Sequence, residues 1–123
     1  MPRLVVVAGP ANSGKMPLAR RLMSEDASLV MVHRDTIRAS LITLDDENLI
    51  TRLMGRLASD LLEAGHSVIC CAWNMEPADA DLWNGLAESA GIKAEWFDVR
   101  RPEIAALIPP LEGWTPEALR DAA

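Results

Sequence analysis

A lysine, an aspartate flanked by two arginines and one asparagine are the side chains best suited to act on a phosphate group. Lys15 closes the run Gly9-Pro10-Ala11-Asn12-Ser13-Gly14-Lys15, which has the complete spacing G-x-x-x-x-G-K. In such a loop, consecutive backbone N–H groups and the dipole of the following helix surround an anion. The two glycines supply backbone freedom and close approach, and Lys15 supplies a point charge for the β- and γ-phosphates. Gly9, Asn12, Ser13, Gly14, Lys15 and Met16 are the candidate nucleotide contacts. The position after the lysine calls for a Ser or Thr hydroxyl on magnesium. Here it is Met16, followed by Pro17. A thioether is a soft, weak acceptor and a poor ligand for a hard cation. A phosphate cradle is therefore expected, with magnesium binding weakened and no protein metal site assigned.

The second cluster is Arg34-Asp35 with Arg38. Asp35 could accept a proton from a hydroxyl, and the two arginines could clamp a substrate phosphate. Arg38 lies three residues past Asp35, so both can share one helix face. The same residues also fit a helix N-cap at Asp35 with a local ion pair. Trp73 and Asn74 end an apolar run, and Trp73 could stack on a base or simply form a pocket wall. Cys70 and Cys71 are neighbours. Adjacent strand residues point to opposite faces, so they read as two buried thiols and not as a bridge. The two histidines make no zinc-like spacing with them.

These residues need elements to hold them. Leu4 to Ala8 is a continuous apolar run bounded by glycine, the pattern of a central strand buried on both faces. A helix follows the glycine loop and ends near Glu25-Asp26, with Pro17 tolerated in its first turn. Leu29 to Val32 predicts a second strand, and Thr36 to Ile42 a short helix capped by Asp35. Leu49, Leu53, Leu57, Leu61 and Leu62 predict the inward stripe of a long helix stopped by Gly65. Ser67 to Ala72 is a third buried strand. Pro77 opens a helix with Leu82, Leu86 and Ala90 inward, and Lys93 to Val99 alternates as an outer strand would. A Pro/Gly-rich tail with a short helical segment, Pro116 to Ala122, closes the chain. Strands alternating with helices imply a parallel α/β sheet. In such sheets functional groups gather beyond the strands' carboxyl ends, which is where the loop, the Asp35 cluster and Asn74 fall.

Composition sets limits. With 123 residues, half of them hydrophobic, the chain is sized for one domain with a real core. No apolar run approaches a membrane span, and Arg3 with a five-residue run leads straight into the loop without a secretory pattern. A cytoplasmic location and no membrane partner are expected. The net charge of −6 argues against non-specific binding to long nucleic acid, but leaves open a small phosphorylated ligand or a strand end.

Taken together, Gly9 to Lys15, Arg34-Asp35-Thr36-Ile37-Arg38, and Ala64-Gly65-His66-Ser67-Val68-Ile69 before Asn74 resemble the P-loop kinases of the polynucleotide kinase and zeta-toxin-like type. The resemblance implies a three-layer P-loop NTPase fold with a parallel sheet of four to five strands. It implies a kinase-like core over residues 1–100, with residues 101–123 in place of a lid and last strand. It also implies ATP as phosphoryl donor and a hydroxyl of a nucleic-acid end or small metabolite as acceptor. Lys15 would contact the phosphates and Asp35 would be the base. Arg34 and Arg38 would handle the acceptor, and Asn74 would shape its site. The departures are Met16 at the metal-binding position, Cys71 where an acidic residue is usual, and Trp73 where a small hydroxyl residue is usual. A lid arginine normally stabilises charge in transfer, a part that Arg101 could take over. These departures imply impaired transfer, or a non-catalytic nucleotide-binding or interaction module of kinase descent. Such a module would pair with itself or a protein partner through the tail, where Trp114 lies.

Overall fold

The computed structural model describes residues 1–41 and 46–109. Trp114, the tail helix and the end of the segment drawn to Ile42 lie outside them. The order is β1 (Leu4–Ala8), α1 (Lys15–Glu25), β2 (Leu29–His33), α2 (Arg34–Ser40), α3 (Glu47–Glu63), β3 (Ser67–Cys71), α4 (Pro77–Ser89), β4 (Ala94–Asp98) and α5 (Pro102–Ala105). The four strands form one parallel sheet in the order β2-β3-β1-β4.

Strand β1 is central and buried along its whole length. Its side chains alternate between two cores, as strand geometry requires. Leu4 and Val6 face α3 and α4, packing with Ile50, Met54, Ala58 and Trp83. Val5 and Val7 face α1, packing with Leu18, Ala19 and Leu22. Helices on both faces of a parallel sheet make three layers. Burying one Val or Leu side chain is worth about 1.5–3 kcal/mol. The four such residues of β1 therefore contribute a gain comparable to the whole net stability of a domain, about 5–15 kcal/mol. The glycine loop hangs from this fully buried strand. Strand β4 is half-buried throughout and lies at the sheet edge, as its alternation predicts.

Three local expectations need correction. In α3 the fully buried stripe is Ile50, Met54, Ala58 and Leu62. Of the predicted leucines, Leu62 is buried as expected, Leu61 packs at the core margin and Leu57 is 44% exposed. Both rows run at i, i+4 and differ by one residue. The inner one wins because α4 comes close: a Cβ on Gly55 would lie 3.1 Å from Leu82 Cδ1. A small residue is needed at position 55, and that turns the Gly55 side of the helix inward. Helix α4 shows the same rotation, with Trp83 and Ala87 buried and Leu82, Leu86 and Ala90 at the core margin. Finally, the N-cap of α2 is His33, whose Nδ1 accepts from the Asp35 backbone N–H at 3.1 Å. Asp35 is thus inside the first turn, with its carboxylate free of capping.

Candidate functional site

The loop between β1 and α1 is shaped by close contacts as well as by its ligand chemistry. Gly9 has φ 157°, and a Cβ there would lie 2.2 Å from Val99 Cγ2. No side chain fits while Val99 stays in the core. Gly14 has φ 93° at the helix N-cap, and its missing Cβ would lie 2.7 Å from Ile108 Cδ1. Asn12 also has positive φ, 59°, which asparagine tolerates. Ser13 Oγ donates to the Pro10 carbonyl at 2.6 Å, and Lys15 Nζ donates to the Gly9 carbonyl at 2.8 Å. The lysine is therefore folded back over its own loop. Burial lowers its pKa, while the negative charge of Asp35 acts to raise it.

An open cleft of about 610 Å³ runs from this loop to the carboxyl ends of β2 and β3. Asn12, Ser13, Gly14, Lys15 and Met16 line one side, and His33, Arg34, Asp35 and Arg38 the other, with Cys71 and Trp73 between them. Parallel strands bring these groups together, because every strand delivers its carboxyl end to the same edge. Gly9 and Asn74 do not line the cleft. Gly9 is the hinge below the loop. Asn74 is buried, adopts φ 50°, and turns its side chain inward. Its Nδ2 donates to the Val7 carbonyl at 3.1 Å, and its Oδ1 accepts from Trp83 Nε1 at 2.9 Å.

The arginines are organised by a residue that sequence reasoning missed. Glu47, in the first turn of α3, accepts from Arg34 Nε and Arg38 Nη2 at 3.1 and 2.8 Å. Arg34 also donates to the Glu47 carbonyl at 2.9 Å and to Thr51 Oγ1 at 2.9 Å. Arg38 donates to Asp35 Oδ1 as well. Hydrogen bonds from Arg38 and Arg34 hold the Glu47 carboxyl down to about 2. Only a fold-back of α2 on α3 creates this network, and nothing local in the sequence reports it. The Asp35 side chain is 73% exposed. An ion pair that open is worth about 0–1 kcal/mol, so Arg38 is easily displaced from it.

The donor chemistry of the cleft suits phosphate better than magnesium. Met16 offers a thioether, and burial pushes the Cys71 thiol up, so it stays protonated at neutral pH. A neutral thiol is not a ligand for a hard cation. Asp35 is the single carboxylate among the described residues lining the cleft, and no described group of three or more His, Cys, Asp or Glu is placed to hold a metal. Arg101 lies elsewhere, paired with Glu103 at 2.6 Å. No described helix is long and apolar enough to cross a membrane.

Strand order, glycine loop and cleft together define a P-loop kinase-like nucleotide-binding fold. The AAA domain family (AAA_33) matches residues 4–107, and the chain belongs to it. Among solved structures, it is similar to a chain of the Pnkp1/Rnl/Hen1 complex, with a TM-score of 0.70 and 21% identity over 85% of this chain and 38% of that one. It is also similar to the Mycobacterium tuberculosis APS kinase CysC in complex with AMPPNP and APS, with a TM-score of 0.56 and 25% identity over 80% of this chain and 62% of that one. A sugar kinase from Janibacter sp. gives a TM-score of 0.61 at 22% identity, over 99% of this chain and 75% of that one. This chain thus spans under two fifths of the Pnkp1-complex chain. No curated protein sequence matches it.

Proposed function

We propose that the chain is an ATP-binding, kinase-type domain that transfers a phosphoryl group slowly to a hydroxyl of a nucleic-acid end or a small metabolite. The observation that carries this is the shared cleft, in which the Gly9–Lys15 loop and the Asp35–Arg38 turn face each other. The loop amides from Asn12 to Met16 and the α1 dipole would hold the phosphates, and Lys15 would leave the Gly9 carbonyl to meet them. Asp35 would accept the hydroxyl proton once the acceptor displaces Arg38. The residues around Met16 and Cys71 do not fit a magnesium ion, and no step here runs through one. The absence of that hard-ligand pair is why transfer is expected to be slow. It also favours a second reading, a non-catalytic nucleotide-binding module. The likeness to the APS kinase chain, solved in complex with AMPPNP, supports ATP as the donor. On this reading residues 1–100 form the core and 101–123 an appended segment, through which self-association or a protein partner would act.

Thermal melting with and without ATP and magnesium tests the reading. ATP is expected to raise Tm through mass action, with little dependence on magnesium, and Lys15→Ala is expected to abolish the shift. Met16→Ser is expected to make the shift magnesium-dependent and to raise ATP turnover. No shift with any nucleotide at millimolar concentration would refute both readings, and ATP binding with no turnover in either protein would select the module.

A further inference from the structure

We propose that Trp73 is a fixed aromatic platform for the planar ring of the acceptor, so that the acceptor is a nucleoside, free or at a strand end. This rests on the kinase-type reading above and deepens it. Four large hydrophobic side chains stand out as exposed among the described residues: Met1, Val30, Leu57 and Trp73. Trp73, at 47%, is the one that lines the cleft. Trp83 is fully packed in the core, and Trp96 is half-buried with its Nε1 bound to Asn84 Oδ1 at 3.0 Å.

The backbone beneath Trp73 is unusually constrained. Its carbonyl accepts from the Gly9 N–H at 3.1 Å, tying it to the glycine loop. The next residue, Asn74, is locked at φ 50° by hydrogen bonds to Val7 and Trp83 at 3.1 and 2.9 Å. An indole has only two rotatable side-chain bonds, so a ring mounted this way gives up little entropy when a ligand stacks on it.

The wall near Trp73 argues about charge. Arg34 and Arg38 are balanced by Asp35 and Glu47, and both guanidinium groups are already occupied by them or by α3. Arg38 keeps its bonds to Glu47 even after it leaves Asp35, so among the described residues a small phosphorylated metabolite finds no uncommitted cation there. A neutral sugar hydroxyl whose ribose carries a flat base finds an aromatic face in the same cleft as Asp35. Stacking on Trp is indifferent to base identity, because every base presents a π-face. The chain's net charge of −6 fits an uncharged or short acceptor better than a long strand.

The test is equilibrium binding of uridine, a 5′-hydroxyl dinucleotide and glucose. It is run in saturating non-hydrolysable ATP analogue, so that the added ligands report on the acceptor side. Uridine is expected to bind and glucose is not. Trp73→Ala is expected to weaken uridine about tenfold to a hundredfold, the effect of losing one base–aromatic stack, and Trp73→Phe to restore most of it. A dinucleotide that binds tighter than uridine assigns the site to a strand end, and equal binding assigns it to a free nucleoside. Glucose binding as well as uridine, or an unchanged uridine affinity in both Trp73 variants, would overturn the inference. Analogue binding without any nucleoside binding would overturn it alone and leave the kinase-type reading standing. Absence of analogue binding would remove that reading and this inference with it.

Discussion

Asn74→Ala offers the sharpest probe of how the cleft is held. The asparagine is buried three residues past the end of β3, and its side chain bonds Val7 on one side and Trp83 on the other. Truncation leaves the Trp83 indole N–H buried without a partner, at about 1–3 kcal/mol. The Val7 carbonyl keeps a longer bond from the Ala72 N–H at 3.4 Å, so losing the Asn74 contact there costs about 1 kcal/mol. Alanine at φ 50° adds about 1–2 kcal/mol of left-handed strain. The expected loss is about 3–6 kcal/mol, a large share of a small domain's stability. Urea unfolding followed by far-UV circular dichroism measures it. Asn74→Gly relieves the strain but not the lost bonds, and should recover about 1–2 kcal/mol of the loss. A double-mutant cycle with Trp83→Phe should show a coupling of at least about 0.5 kcal/mol. A loss below about 1 kcal/mol in Asn74→Ala, or no coupling to Trp83, would refute the account of Asn74 as the buried anchor of Trp73.

Two further outcomes follow from the geometry. Glu47 has its folded-state pKa lowered to about 2 by the arginines. Its contribution to stability is therefore full above the unfolded carboxylate range near pH 4 and is lost as pH falls through about 2. Melting scans across that window should be flatter in Glu47→Gln than in the parent, and an identical slope would count against the network. Gly9→Ala should destabilise by about 1–3 kcal/mol through its clash with Val99. Val99→Ala in the same chain should relieve part of that cost, and equilibrium unfolding of the single and double variants reads it.

Much of this molecule was legible along the chain. The glycine loop's spacing, the continuous apolar run of Leu4 to Ala8 and the alternation of strands with helices are local patterns, and each follows from backbone geometry alone. They determined the parallel three-layer fold and the edge on which Lys15, Asp35 and Trp73 would meet. Sequence could not decide which of two neighbouring stripes on α3 and α4 turns inward. Both have helical spacing, and the choice depends on how closely the two helices approach at Gly55 and Leu82. It could not separate Asp35 as cap from Asp35 as a first-turn carboxylate, because His33, two residues earlier, can start the helix in its place, its Nδ1 accepting from the Asp35 N–H. Nor could it find Glu47 between Arg34 and Arg38, Trp83 beneath Asn74, or Val99 over Gly9. Those partners lie between 9 and 90 residues apart. Packing the helices on the sheet brings them into contact, and tertiary structure alone sets such contacts.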